Sequence, residues 1–118
     1  MSQDSMNQDG QILERLYALI LTRKGGDPAT SHTAKLFARG RAKIAQKVGE
    51  EAVETALAAA ALKDHDEVVG ESADLLFHLL VLWADCGVTP AEVWEELRRR
   101  EGTSGVDEKK NRKETSNG

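Results

Sequence analysis

Where apolar residues are dense along this chain they recur at intervals of three and four, and nowhere do they hold a sustained alternation. Spacing of three and four stacks side chains on one face of an α-helix, whereas a period of two would mark a strand. Between Gln11 and Lys24 the residues Ile12, Leu13, Leu16, Leu19 and Ile20 follow the helical rule, and Gly25-Gly26-Asp27-Pro28 stops the helix. Ser31 to Arg39 reads as a short second helix anchored by Ala34, Leu36 and Phe37, with Gly40 separating it from the next helix. That helix is long and is predicted from Arg41 to Leu62. Its second half, Ala56 to Leu62, combines high helix propensity with small side chains that let a neighbouring backbone approach closely.

Asp64 and Glu67 have the spacing of a capping box, which predicts a tight turn over Lys63 to His65 and a further helix running to Cys86, closed by Gly87. Thr89-Pro90-Ala91-Glu92 is a second start signal, for a last helix over Pro90 to Arg100. Arg98-Arg99-Arg100 then falls at the negative end of that helix's dipole. The expected fold is all-α: an antiparallel helical bundle of four to five helices, completed by the same helices of a second subunit. Residues 11–101 form the expected domain, with polar segments 1–10 and 102–118 read as disordered.

At 118 residues there is room for one modest domain whose core must come from Leu, Ala and Val, since aromatics are few. Small domains of this kind often finish their burial by oligomerising. A net charge of −4 argues against holding nucleic acid by bulk electrostatics. Apolar runs such as Leu79 to Ala84 are far below the roughly 20 residues a membrane span needs, so a membrane role is not expected. Cys86 is the single cysteine, which excludes an internal disulfide and a Cys-rich zinc site and fits a soluble protein of the reducing cytoplasm.

Two acidic clusters change this picture of a plain helical domain. Glu50-Glu51-Ala52-Val53-Glu54 lies in the first long helix, and Glu71-Ser72-Ala73-Asp74 in the next. Helical pitch puts Glu51 with Glu54, and Glu71 with Asp74, on shared faces. If the helices pack antiparallel, four carboxylates converge, and repulsion and desolvation together oppose folding unless something compensates them. One compensation is Lys or Arg from a neighbouring helix. The other is a divalent cation, and oxygen-only donors of this kind suit Mg²⁺, with Mn²⁺ as a substitute.

His78, one turn beyond Asp74, is open to three readings: a metal ligand, a substrate contact, or a hydrogen-bonded core histidine. Paired Glu-x-x-His motifs, the mark of di-iron bundles, are absent. Lys43 and Lys47 share a face with Glu51 and Glu54, either as helix ion-pair partners or as phosphate contacts. Arg23, Lys24, Lys35, Arg39 and Arg41 make a basic stretch leading toward the acids, as a polyphosphate ester would require.

Three segments together resemble a known family: Asp27-Pro28-Ala29-Thr30-Ser31-His32-Thr33-Ala34-Lys35-Leu36, then Lys43 through Thr55, then Glu71 through Leu82. They are similar to the phosphoribosyl-ATP pyrophosphatases of histidine biosynthesis. That family sits within the MazG-like all-α nucleotide pyrophosphohydrolase superfamily, whose signature is Glu-Glu-x-x-Glu followed by Glu-x-x-Asp on the next helix. The likeness runs from about Leu13 to Arg100, with Phe77 standing where many relatives carry Tyr.

The resemblance implies Mg²⁺-dependent hydrolysis of phosphoribosyl-ATP to phosphoribosyl-AMP and pyrophosphate in a homodimer or larger assembly. Glu51, Glu54, Glu71 and Asp74 are then the expected metal ligands and, with Glu50 supporting them or orienting water, the catalytic set. Lys47, Lys43, Lys35, Arg39 and His78 are the expected substrate contacts. Two rivals use the same residues: a housekeeping pyrophosphohydrolase of (deoxy)nucleoside triphosphates, and a helical oligomerisation module whose acids merely form salt bridges.

Overall fold

The computed structural model describes residues 9–61 and 64–102, and these form five helices in chain order. They are α1 (Ile12–Arg23), α2 (His32–Arg39), α3 (Arg41–Ala60), α4 (His65–Cys86) and α5 (Pro90–Arg100). No strand occurs among the described residues. The expected end of the long helix at Leu62, the turn residue Lys63, and the segments 1–8 and 103–118 lie outside them.

Local chemistry accounts for most helix ends. Ser31 caps α2 by accepting a hydrogen bond from the Ala34 N–H at 3.1 Å. Gly40 has φ of +94°, a conformation open to glycine, and so one residue serves both as the end of α2 and the start of α3. Thr89 and Glu92 close the predicted capping box on α5: Thr89 N–H donates to Glu92 Oε1 at 2.9 Å, and Glu92 N–H donates to Thr89 Oγ1 at 3.3 Å. Gly87, at φ of +76°, ends α4 in the left-handed conformation.

The capping box expected at Asp64 does not form. Asp64 holds the N-cap position of α4, but its side chain makes no capping bond; its backbone carbonyl accepts from Glu67 N–H at 3.0 Å instead. Position alone thus starts the helix, and the carboxylate contributes through the dipole at most.

α3 and α4 make the most extensive helix pair and run antiparallel. Two cross-links establish the register. At one end Arg41 Nε meets Asp85 Oδ2 at 2.7 Å. At the other, Thr55 Oγ1 stands 3.1 Å from the Glu71 carbonyl oxygen and 2.8 Å from that of Glu51. From 41 to 55 and from 85 back to 71 is the same number of residues, about 21 Å of helix.

α1 and α2 cover only the Arg41–Asp85 end of this hairpin. The core joins Tyr17 and Ile20 of α1, Leu36 of α2, Ile44 of α3, and Leu80, Val81 and Ala84 of α4. α5 is fastened to the same end: Trp94 Nε1 donates to Glu14 Oε1, and the Trp94 ring meets Trp83 edge-on. The apolar character of α4 between Glu71 and Trp83 predicts burial of that stretch, and here the structure differs in part. Leu76 is exposed within that stretch and Val69 just before it, and Val53 and Leu57 of α3 are exposed as well. No described helix is there to bury them.

Candidate metal centre

The uncovered half of the hairpin is where the acidic residues meet. Helical spacing brings Glu71 and Asp74 to one face of α4, and the α3–α4 register carries Glu51 opposite them. One ligand oxygen from each of Glu51, Glu71 and Asp74 can be chosen so that all lie within 4.8 Å of one another. Thr55 holds the two backbones together at this level through its contacts to the carbonyls of Glu51 and Glu71. Sequence reasoning misses this role, although the position of Thr55 four residues after Glu51, on an inward face, is a signal for it.

Electrostatics at this point are unfavourable to the chain alone. Burial, followed by repulsion from and hydrogen bonding with Glu54, pushes the Glu51 carboxyl above its ordinary value, with Asp74 adding further repulsion. Burial and then Glu54 do the same to Glu71, with Glu51 and Asp74 contributing. Oε2 of Glu51 and Oε2 of Glu71 are both buried with no hydrogen-bond partner. Among the described residues no lysine or arginine forms an ion pair with Glu51, Glu54, Glu71 or Asp74. The described residues thus supply no cationic side chain to this face.

A divalent cation fits these residues. Orphaned carboxylate oxygens within reach of one another are hard anionic donors, the type that Mg²⁺ and Mn²⁺ take. Glu54, the fourth expected ligand, approaches both Glu51 and Glu71 closely enough to raise their pKa values. It also lines, with Glu71, Glu67, Leu57 and Ala58, an adjoining cleft of about 260 Å³.

Other predicted residues lie elsewhere. Glu50 is rotated away from the trio, exposed, and engaged by Gln46 Nε2 at 3.0 Å and Lys47 Nζ at 3.3 Å, which hold its carboxyl below the usual value. Adjacent helical residues differ by about 100° in direction, so the divergence from Glu51 is a consequence of pitch. Lys47 accordingly pairs with Glu50 at i, i+3 rather than with Glu51. Lys43 is half-buried on the same helix, while Lys35 and Arg39 stand exposed on α2.

The basic stretch does not lead into the acids within one chain. Arg41 is tied to Asp85 and its backbone carbonyl, and Lys24 Nζ donates to the Ala84 carbonyl at 3.4 Å while lying over the Phe37 ring. These cations clasp the C-terminal end of α4, about 16 Å along the helix from Asp74. His78 is buried, with Nδ1 2.8 Å from the Asp74 carbonyl oxygen.

Comparison with known proteins identifies the family. The family model described as phosphoribosyl-ATP pyrophosphohydrolase matches residues 13–101. A protein of Paramagnetospirillum magneticum named phosphoribosyl-ATP pyrophosphatase is 70% identical over 107 residues, covering 91% of this chain and 97% of that one. Proteins of the same name from Azospirillum brasilense and Rhodospirillum rubrum are 59% and 61% identical, over 96% and 87% of this chain and 99% and 87% of their own lengths. With a family model spanning most of its length and full-length relatives at such identity, this chain belongs to the phosphoribosyl-ATP pyrophosphohydrolase family.

Proposed function

We propose that this chain hydrolyses phosphoribosyl-ATP to phosphoribosyl-AMP and pyrophosphate, the second step of histidine biosynthesis, in the cytoplasm and with Mg²⁺ as cofactor. The observation that carries the reading is the set of converging carboxylates without a cationic partner, in a chain of this family. Glu51, Glu54, Glu71 and Asp74 would hold the ion, and Mn²⁺ would substitute. Once bound, such an ion neutralises phosphate charge and lowers the pKa of a coordinated water.

The chain's own residues supply the rest. Splitting a phosphoanhydride needs positioning and charge stabilisation and no covalent intermediate. Thr55 fixes the separation of the two helices, and hence of Glu51 from Glu71. Glu50 works from the rim, where its ion pair holds the Lys47 ammonium at a definite place beside the acids. Lys47 and Lys43 receive phosphate oxygens, and the more distant Lys35 and Arg39 serve the remainder of a long substrate.

The same reading includes a homodimer. Val53 and Leu57 of α3 and Val69 and Leu76 of α4 are exposed apolar side chains on the part of the hairpin that no described helix covers, and a second copy would bury some of them. The domain acting in this way is residues 11–101.

Pyrophosphate release from phosphoribosyl-ATP, measured with and without Mg²⁺ beside dUTP and dCTP, tests the proposal. The expected result is Mg²⁺-dependent release from phosphoribosyl-ATP with little from the deoxynucleotides. Faster turnover of dUTP or dCTP would make the chain a housekeeping pyrophosphohydrolase. No turnover, together with a melting temperature indifferent to Mg²⁺, would leave only an oligomerisation module.

A further inference from the structure

A second cavity, of about 350 Å³, lies away from the acids at the Arg41–Asp85 end of the hairpin. Lys24, Gly25 and Gly26 of the α1–α2 connection form one wall, Ala34, Phe37 and Ala38 of α2 another, and Asp85 of α4 completes it. The connection is shaped by its own backbone. Gly25 has φ of +81°, and a Cβ on Gly26 would stand 3.0 Å from the Arg23 carbonyl oxygen, so both positions favour glycine. Asp27 holds the residues that follow: its Oδ1 accepts from Ala29 N–H at 2.9 Å, and its carbonyl accepts from Thr30 and Ser31 N–H at 3.1 Å each.

Two charged side chains line this space with bonding capacity left. Lys24 Nζ donates to the Ala84 carbonyl at 3.4 Å and lies 5.8 Å from the centre of the Phe37 ring, and an ammonium has further hydrogens to give. Asp85 receives Arg41 Nε on Oδ2 at 2.7 Å, which offsets its charge and leaves its other oxygen as an acceptor. An ammonium and a carboxylate at one small cavity suit a ligand that carries both an anion and hydroxyls. A phosphorylated pentose does so: phosphate oxygens meet Lys24, a vicinal diol donates to Asp85, and the carbon face of the sugar packs on Phe37 and the alanines.

Position favours the same ligand. Asp85 is eleven residues beyond Asp74, about 16 Å along α4 and, at three turns plus about 20°, on the same side of the helix. The proposed substrate carries its phosphorylated pentose on the far side of the purine from the triphosphate, which sets its two anionic ends a comparable distance apart. We infer that the cavity is a subsite for the phosphoribosyl group and sets a preference for phosphoribosyl-ATP over triphosphates that lack a second sugar phosphate. The inference rests on the proposed substrate and not on how the cation is held.

Ribose 5-phosphate titrated into the unaltered, metal-free protein and followed by ¹⁵N–¹H NMR gives the first test. The amides of Gly25, Gly26, Ala34 and Phe37 should shift and saturate together, with ribose or inorganic phosphate binding at least about tenfold more weakly. No shift at these residues, or equal saturation by inorganic phosphate, overturns the inference. Lys24→Met then removes the ammonium and keeps an apolar stem, and Ala38→Leu fills the cavity from α2; neither alters an acid of the cation site. Each should raise KM for phosphoribosyl-ATP about tenfold, the effect of losing one charge-assisted hydrogen bond, with kcat little changed and hydrolysis of ATP itself unaltered. Parent-like KM in both variants, or the same loss with ATP, overturns the inference. Glu51→Gln is the control and should lose turnover while binding ribose 5-phosphate like the parent. Failure of the parent to release pyrophosphate from phosphoribosyl-ATP, with ribose 5-phosphate still bound at the cavity, would instead overturn the proposed reaction and leave a sugar-phosphate site standing.

Discussion

Two regions of this protein carry glutamates on helices, and they are built in opposite ways. In the second half of α5 the acids have cations one turn away: Glu95 pairs with Arg98 at 3.0 Å, and Glu96 with Arg99 and with Arg100, the latter at 3.1 Å. Hydrogen bonds from Arg99 and then Arg100 bring the Glu96 carboxyl down to about 2. On the α3–α4 hairpin, Glu51 and Glu71 face other acids across the helix pair, and their carboxyls are pushed up. Helix spacing is alike in the two regions; the difference is whether the chain supplies the counter-charge. Acids that bring their own cations form a solvated surface, and acids gathered without them mark a place where an external cation belongs.

The largest effect expected from breaking this contrast comes at Glu51. Glu51→Gln is nearly isosteric, keeps the helix, and removes one negative charge. Turnover at saturating Mg²⁺ should fall about 100-fold or more, beyond what loss of an outer contact to a metal ligand normally costs. In the presence of a chelator the same variant should melt at a higher temperature than the parent at neutral pH, because the removed charge was opposed by burial and by Glu54. Activity lost and metal-free stability gained, read by pyrophosphate release and by thermal melting, is a pairing that a structural salt bridge cannot produce. A destabilised Glu51→Gln with intact turnover would place Glu51 among the ordinary acids.

A smaller effect, and one in which the two regions oppose each other, is expected with pH. Glu51 and Glu71 have folded values above the ordinary 4.5, so the folded state binds more protons than the unfolded state as pH rises from 4.5 through the raised values. Stability of the metal-free protein should therefore fall across that window. Mg²⁺ should flatten the decline, because it binds the ionised, folded form. Glu96 acts with the other sign: its contribution is present above 4.5 and is lost as pH falls toward about 2, and it is muted because the group lies at the surface. Melting curves from about pH 2 to 8, with chelator and with Mg²⁺, check this. Parallel curves would mean that the acids of the hairpin are not coupled to metal.

Much of this contrast is legible in the amino-acid sequence. Pro90, Gly40, Gly87 and the caps Ser31 and Thr89 set helix ends through local stereochemistry, which sequence carries directly. The face shared by Glu71 and Asp74 is a matter of pitch alone. What stays hidden depends on how helices dock. Nothing local says that Arg41 and Lys24 are spent clasping the end of α4, or that α1 and α2 cover one half of the hairpin and leave Val69 and Leu76 bare. Asp64 shows the limit from the other side: a side chain with good capping chemistry holds the N-cap position and makes no capping bond.

The smallest expected effect lies on α5, and it sharpens the contrast because it is small. Glu96→Gln removes the same charge as Glu51→Gln, from a carboxylate with two arginine partners in place of none. Exposed ion pairs within one helix add little, because both side chains lose freedom to form them and water and salt screen the attraction. Turnover, Mg²⁺ dependence and melting temperature should therefore remain at parent values, with a slight loss of stability visible only at low salt. A large loss of activity in Glu96→Gln would mean that the α5 arginines have a second duty, released from Glu96 and needed near the acids. That result would break the division between compensated and uncompensated acids at its simpler end, since counter-charge would then be supplied to the hairpin from within the protein.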